Sequence, residues 1–168
     1  MEAALIANAC AYLGMLISLA GIKAKRDTQK WCYFIGPIFM LVGAYLLGNW
    51  VLTLLQAIIV LAGLGGILNV PPKFSWVIIF AGAASIASLW QMGLVRPDWS
   101  ITGPVGLVAI ALGVALAPHP VSAFLLLVGG LPLLIFSAVE GLWGWVVFNL
   151  VWSAMLLHTL YFKKRPRA

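Results

Sequence analysis

Seven long apolar stretches follow one another along this chain, separated by breaks of only a few residues. They run from about Ala3 to Ile22, Cys32 to Gly48, Trp50 to Asn69, Phe74 to Val95, Ile101 to Ala117, Val121 to Val139 and Leu142 to Phe162. A helix needs about 20 residues to cross the hydrocarbon of a bilayer. Backbone polar groups within lipid can be satisfied only by helices or closed barrels. The seven stretches have the length of helical spans, and in 168 residues they leave no room for a soluble domain. Composition agrees: 64% of residues are hydrophobic, 8% are charged, and the mean hydropathy is +1.09. Soluble domains are about half apolar and about a quarter charged, and a small chain cannot hide so much apolar surface from water. The expected fold is therefore all-α, a polytopic integral membrane protein with seven transmembrane helices. A soluble enzyme, a secreted disulfide domain and a disordered chain are excluded.

The breaks carry the turn chemistry. Gly48-Asn49-Trp50 divides a stretch too long for one helix. Pro71-Pro72-Lys73 ends the third span, because proline cannot continue a helix. Arg96-Pro97-Asp98-Trp99, Pro118-His119-Pro120 and Glu140-Gly141 mark the later turns. A polar basic loop is expected from Lys23 to Lys30. With seven spans and the amino terminus outside, every Lys and Arg of the 10 except Arg96 falls on the cytoplasmic side, as the positive-inside rule requires. The carboxyl terminus is then cytoplasmic, and a bacterial inner membrane is the expected location. The net charge of +6 accordingly reads as a topology signal, not as a nucleic-acid footprint. The basic tail could also touch anionic headgroups. The first span lacks a basic start and is expected to be retained, not cleaved as a signal peptide. Cys10 and Cys32 lie at different depths, too far apart for a disulfide.

An internal repeat is visible. Gly48-Asn49-Trp50 is followed by Gln56, and Gly141-Leu142-Trp143 by Asn149, 93 positions on. Each motif opens a span that runs from outside to inside, and the preceding span of each pair carries a proline, Pro37 or Pro132. Residues 1–69 are thus expected to form one three-helix repeat, 70–100 a connector helix with its loops, and 101–168 a second repeat with the basic tail. The connector restores the direction of the chain, so the two repeats are parallel. This arrangement resembles the SWEET sugar transporters and the PnuC-type vitamin transporters. The resemblance extends over the whole chain at the level of topology, but the first span lacks a proline and no Pro-Gln pair occurs. It implies two triple-helix bundles around a central solute path, with Pro37, Pro104 and Pro132 as hinges.

Polar side chains inside the spans are few, and an amide in hydrocarbon must find a partner or water. Gln56, Asn149 and Asn8 fall at similar depths in the outer half of the bilayer, with Gln91 slightly nearer the outside beside Trp90. Amides both donate and accept, which suits an uncharged or zwitterionic solute, and the deeper indoles of Trp90 and Trp152 could hold its apolar side. These six residues form the candidate substrate site. The bland alternative for each is interhelical glue or packing. Gly14 to Ser18 and Ala62 to Gly66 give small-residue faces for close helix contact. Trp31, Trp50, Trp76, Trp99 and Trp143 lie at span ends, where an aromatic belt belongs.

Charged residues support little chemistry. Glu140 is the lone acidic residue near a span interior, and His119 and His158 have no metal-ligand spacing. No paired carboxylates occur, so acid–base catalysis is not expected, nor is a metal or other cofactor. The expected function is a transporter, a facilitator of a small polar solute. The alternative is a non-catalytic accessory subunit of a larger membrane complex. The expected partners are the bilayer, the solute, and either a second copy of the chain or other membrane subunits, with no nucleic acid.

Overall fold

A computed structural model of the chain describes residues 2–71, 75–94, 101–117 and 119–162. They form seven α-helices: α1 (Glu2–Lys23), α2 (Arg26–Leu46), α3 (Trp50–Ile67), α4 (Ser75–Gln91), α5 (Thr102–Ala115), α6 (Pro120–Val139) and α7 (Trp143–Phe162). The helix breaks fall where glycine and proline require them, with one exception. The basic segment expected as a loop is mostly helical, because α2 already begins at Arg26. Nothing in Arg26-Asp27-Thr28-Gln29-Lys30 breaks a helix, and Asp27 in the first turn favours one. Only Ala24 and Lys25 separate α1 from α2. The segments around Lys73, Arg96–Trp99 and Pro118 and the basic tail lie outside the described residues.

Four helices are long and apolar enough to cross a bilayer: α1, α3, α6 and α7. The 17-residue α4 and 14-residue α5 are shorter; at ~1.5 Å per residue α5 reaches only about 21 Å. The charges of α2 are confined to its first turns, and its apolar portion starts at Trp31. Large apolar side chains such as Leu5, Leu16, Leu61, Phe80 and Val147 face outward, a surface that water would not tolerate and that fits a membrane location. Among the described residues the buried polar ones are all uncharged: Ser18, Gln56, Ser122, Ser137, Asn149 and Ser153.

Six helices close into a ring. Each packs on the next in the order α1, α2, α3, α5, α6, α7, and α7 returns to α1. The helix α4 lies outside, against α3 and α5. Glycines set the closest crossings. A Cβ added at Gly14 would stand 2.5 Å from the carbonyl of Gly36, and one at Gly106 would stand 2.6 Å from that of Gly129. A Cβ at Gly43 meets the backbone of Ala7 and Ala11, and one at Gly103 meets Phe136. Gly21 faces Tyr33, and Gly113 faces Leu126. Small residues let helices approach where lipid provides no hydrophobic drive between them.

The turns from α2 to α3 and from α6 to α7 share one geometry. Gly48 and Gly141 adopt φ of 70° and 67°, the left-handed conformation that glycine takes without a side-chain penalty. The N–H after each glycine reaches back five residues, Asn49 to the Ala44 carbonyl at 3.0 Å and Leu142 to the Ser137 carbonyl at 2.8 Å. This closes a glycine-terminated helix end in which the last carbonyls find donors.

Candidate functional site

Near the middle of the ring lies a small internal cavity of about 30 Å³. Its walls come from every ring helix except α6. Tyr33 and Pro37 of α2, Gln56 of α3, and Phe148 and Trp152 of α7 carry its chemistry. Aliphatic side chains of α3 and α5, among them Ile59 and Ile110, close the remainder. The indole of Trp152 bridges the two halves of the ring. Its centroid is 5.9 Å from that of Tyr33 at an interplanar angle of 47°, and 5.5 Å from that of Phe148 at 43°.

Local structure explains why these side chains point inward. Pro37 sits inside α2, where it cannot donate to the carbonyl four residues earlier, that of Tyr33. Gly63 of α3 meets the same carbonyl, where an added Cβ would stand 2.7 Å from the oxygen. This close approach draws α3 against α2. The Tyr33 hydroxyl accepts from Gln29 Nε2 at 3.4 Å on its own helix. Ser18 Oγ donates to the Gly14 carbonyl at 2.9 Å.

The polar groups at the centre are unusually free. Gln56 is 1% exposed, and neither its Nε2 nor its Oε1 has a hydrogen-bond partner in the protein. Trp152 is 4% exposed, and its Nε1–H is also unpartnered. Asn149 is fully buried, and its Nδ2 donates to the Trp145 carbonyl one turn back at 2.8 Å while Oδ1 has no partner. Ser153 Oγ, beside Gly130, is a further buried group without a partner. Leaving a buried amide without hydrogen bonds costs about 1–3 kcal/mol by mutational measures. Several buried polar groups of α3 and α7 are therefore not paired with one another across the helices.

Of the six expected site residues, the structure brings Gln56 and Trp152 to the cavity wall. Asn149 is buried one turn from Trp152 but is not part of that wall. Asn8, Trp90 and Gln91 are exposed and do not line it. Of the three expected hinges, Pro37 and Pro132 stand inside helices. Pro104 is in the first turn of α5, where its missing N–H costs no helical bond. It packs as a buried residue near the start of α5.

Tyr33 and Phe148 were not apparent as site residues in the sequence, because an aromatic in an apolar run looks like lipid-facing or packing surface. The usable signal was the glycine opposite: Gly21 and Gly63 both make room for Tyr33. Four of the five span-end tryptophans are exposed, namely Trp31, Trp50, Trp76 and Trp143, as a belt requires, and Trp99 lies outside the described residues. Trp145, close to the same level, is instead buried. Cys10 and Cys32 are free thiols.

Among the described residues no group of three His, Cys, Asp or Glu side chains is placed to hold a metal ion. Comparison with protein-family models, curated proteins and solved structures finds no match. The arrangement therefore has to be read from its own chemistry: neutral donors and acceptors framed by aromatic faces, within a wall that carries no charge.

Proposed function

We propose that this chain is a membrane transporter, a facilitator that passes a small uncharged or zwitterionic polar solute between two parallel three-helix bundles. The observation that supports this reading is the buried amide of Gln56, unpartnered in the protein, on a residue that lines one cavity together with Trp152. A group kept polar and unpaired in hydrocarbon, at about 1–3 kcal/mol of cost, is explained if a passing solute supplies its hydrogen bonds. Polar groups inside a membrane protein are costly and mark pathways.

The duplication read from the sequence has further support in packing. The glycine crossings of α1 on α2 recur in α5 on α6 at offsets of 92 or 93 positions: Gly14–Gly36 with Gly106–Gly129, Ala11–Gly43 with Gly103–Phe136, and Gly21–Tyr33 with Gly113–Leu126. The two glycine turns, at Gly48 and Gly141, repeat as well. On this reading α1–α3 and α5–α7 are the repeats, α4 is the connector, and all seven helices span the bilayer. The amino terminus is outside and the carboxyl terminus in the cytoplasm of a bacterial cell. The reading matches the SWEET-like and PnuC-like arrangement in topology alone.

A cavity of about 30 Å³ holds about one water, so this conformation is closed to any larger solute. Passage requires one bundle to rock against the other, with Pro37 and Pro132 as points where a helix can flex. The buried polar residues are uncharged, which favours facilitated diffusion over proton-coupled pumping. The same scarcity of acid and base groups argues against an enzyme.

The test is stopped-flow light scattering of proteoliposomes challenged with gradients of neutral polyols, sugars and zwitterionic amino acids. The wild-type chain should speed equilibration of at least one solute class, and the Gln56→Ala, Asn149→Ala double variant should lose most of that acceleration. Unchanged flux in the double variant would remove Gln56 and Asn149 from the path. Fixed-stoichiometry co-purification with other membrane chains, without flux, would favour an accessory subunit.

A further inference from the structure

A second, larger hollow lies at the basic end of the ring and shares no lining residue with the central cavity. It is a cleft of about 380 Å³ between the start of α2, the ends of α3 and α5, and the turn before α6. That is within the ~300–1,000 Å³ range of small-ligand sites. We propose that this cleft binds a phosphate ester of net negative charge.

The charge pattern excludes most other occupants. Arg26 and Lys30, one turn apart on α2, line the cleft together with Asn69 and His119, and among the described residues no carboxylate is part of its wall. The nearest acidic residue in sequence, Asp27, is exposed and is not among the lining residues. The Lys30 ammonium donates to Asn69 Oδ1. Asn69 is the one non-glycine residue with positive φ among the described residues, at 54°. An ammonium has three donors, so Lys30 keeps two for another acceptor while Asn69 fixes its position. His119 Nδ1 accepts the backbone N–H of Val121 at 3.3 Å, so in its neutral form the ring carries its proton on Nε2, a donor.

A guanidinium, an ammonium and neutral N–H donors together match the oxygens of a phosphate. The rest of the wall is apolar, with Val70, Leu116 and Ala117, which suits an ester with an organic part better than a bare ion. A competing account is that Arg26 and Lys30 merely offset the carbonyl ends of α3 and α5. It predicts no ligand preference. The proposal does not depend on the transport reading.

The full-length chain in detergent would be titrated with short-chain phosphatidylglycerol, short-chain phosphatidylcholine and glycerol phosphate, following the thermal midpoint. Phosphatidylglycerol or glycerol phosphate should bind saturably and at least tenfold more tightly than phosphatidylcholine. Saturation by phosphatidylglycerol alone identifies a lipid headgroup, and saturation by glycerol phosphate identifies a soluble ester; either supports the phosphate site. The Arg26→Gln, Lys30→Gln double variant should weaken binding at least tenfold. Ala117→Phe, which fills the cleft and keeps both charges, should do the same, and it carries the test if the charge variant fails to fold. Neutralising Lys163, Lys164 and Arg165 should change binding less than twofold. Equal affinity for the two lipids, or a loss that follows the tail and not the cleft, would overturn the proposal.

Discussion

The two halves of the ring are alike in how they close and different in what they present at the centre. In α1–α2 and α5–α6 the helices cross at matching glycines, Gly14 with Gly36 and Gly106 with Gly129. Beyond that scaffold the halves diverge. The turn into α3 is capped by Asn49, whose Oδ1 accepts the Leu52 N–H at 3.0 Å. The equivalent turn into α7 has Leu142, which has no capping oxygen in its side chain, and the N–H of Trp145 bonds to the Leu142 backbone carbonyl at 2.9 Å instead. Both polar atoms of the Gln56 amide lack a partner in the protein, whereas Asn149 spends half of its amide on its own helix; Gln56 and Trp152 line the cavity and Asn149 does not. The lesson is that close backbone approach sets a similar frame in both halves, while the polar chemistry of the centre is divided unequally between an amide on one side and aromatic rings on the other.

That comparison can be broken most forcefully at the crossings. Gly36→Val and Gly129→Val should each destabilise the protein by about 3 kcal/mol, the upper end of overpacking costs. The added atoms would meet the Gly14 carbonyl in one case and the Gly106 carbonyl in the other. Thermal melts in detergent should show losses of similar size; a large loss for one and none for the other would mean that the halves are not built alike.

A smaller effect is expected at the turns. Gly48→Ala and Gly141→Ala place a side chain at φ near 70°, which costs about 1 kcal/mol. Open space surrounds both glycines, so the cost is purely backbone and should be equal in the two variants. Denaturant midpoints of equal shift would sharpen the comparison, and unequal shifts would show that one turn is held by contacts beyond its own geometry.

The smallest effect on stability belongs to Trp152→Phe. The ring contacts to Tyr33 and Phe148 are largely kept and an unpartnered N–H is removed, so stability should change by less than about 1 kcal/mol. On the transport reading solute flux should still fall, because Trp152 lines the cavity. Unchanged flux would reduce Trp152 to a packing residue.

Much of this organisation was legible in the sequence. Seven apolar runs broken by glycine and proline mark the seven helices, because a long run without a helix breaker favours one continuous helix. Gln56, Asn149 and Trp152 stood out because polar atoms in such runs are rare, and all three proved buried. Asn8 and Gln91 have the same chemistry but face outward; depth can be counted along a helix, whereas rotation about its axis is fixed by neighbours that only the packed structure supplies. The start of α2 was misread because basic residues resemble a loop when charge alone is considered, although Arg26–Lys30 contains no helix breaker. The basic cleft was hidden for a related reason. Lys30 and Asn69 are 39 positions apart, and nothing in their local sequence announces that they meet.

The central claim is that Gln56 is kept for a solute and not for the fold. A single Gln56→Leu variant separates the two, with proteoliposome flux and detergent thermal midpoint measured on the same preparation. The side chain has no hydrogen bond to the protein to lose, so an apolar replacement of similar size should hold or raise the midpoint while abolishing flux. A lowered midpoint with flux retained would contradict the account and make Gln56 a structural residue.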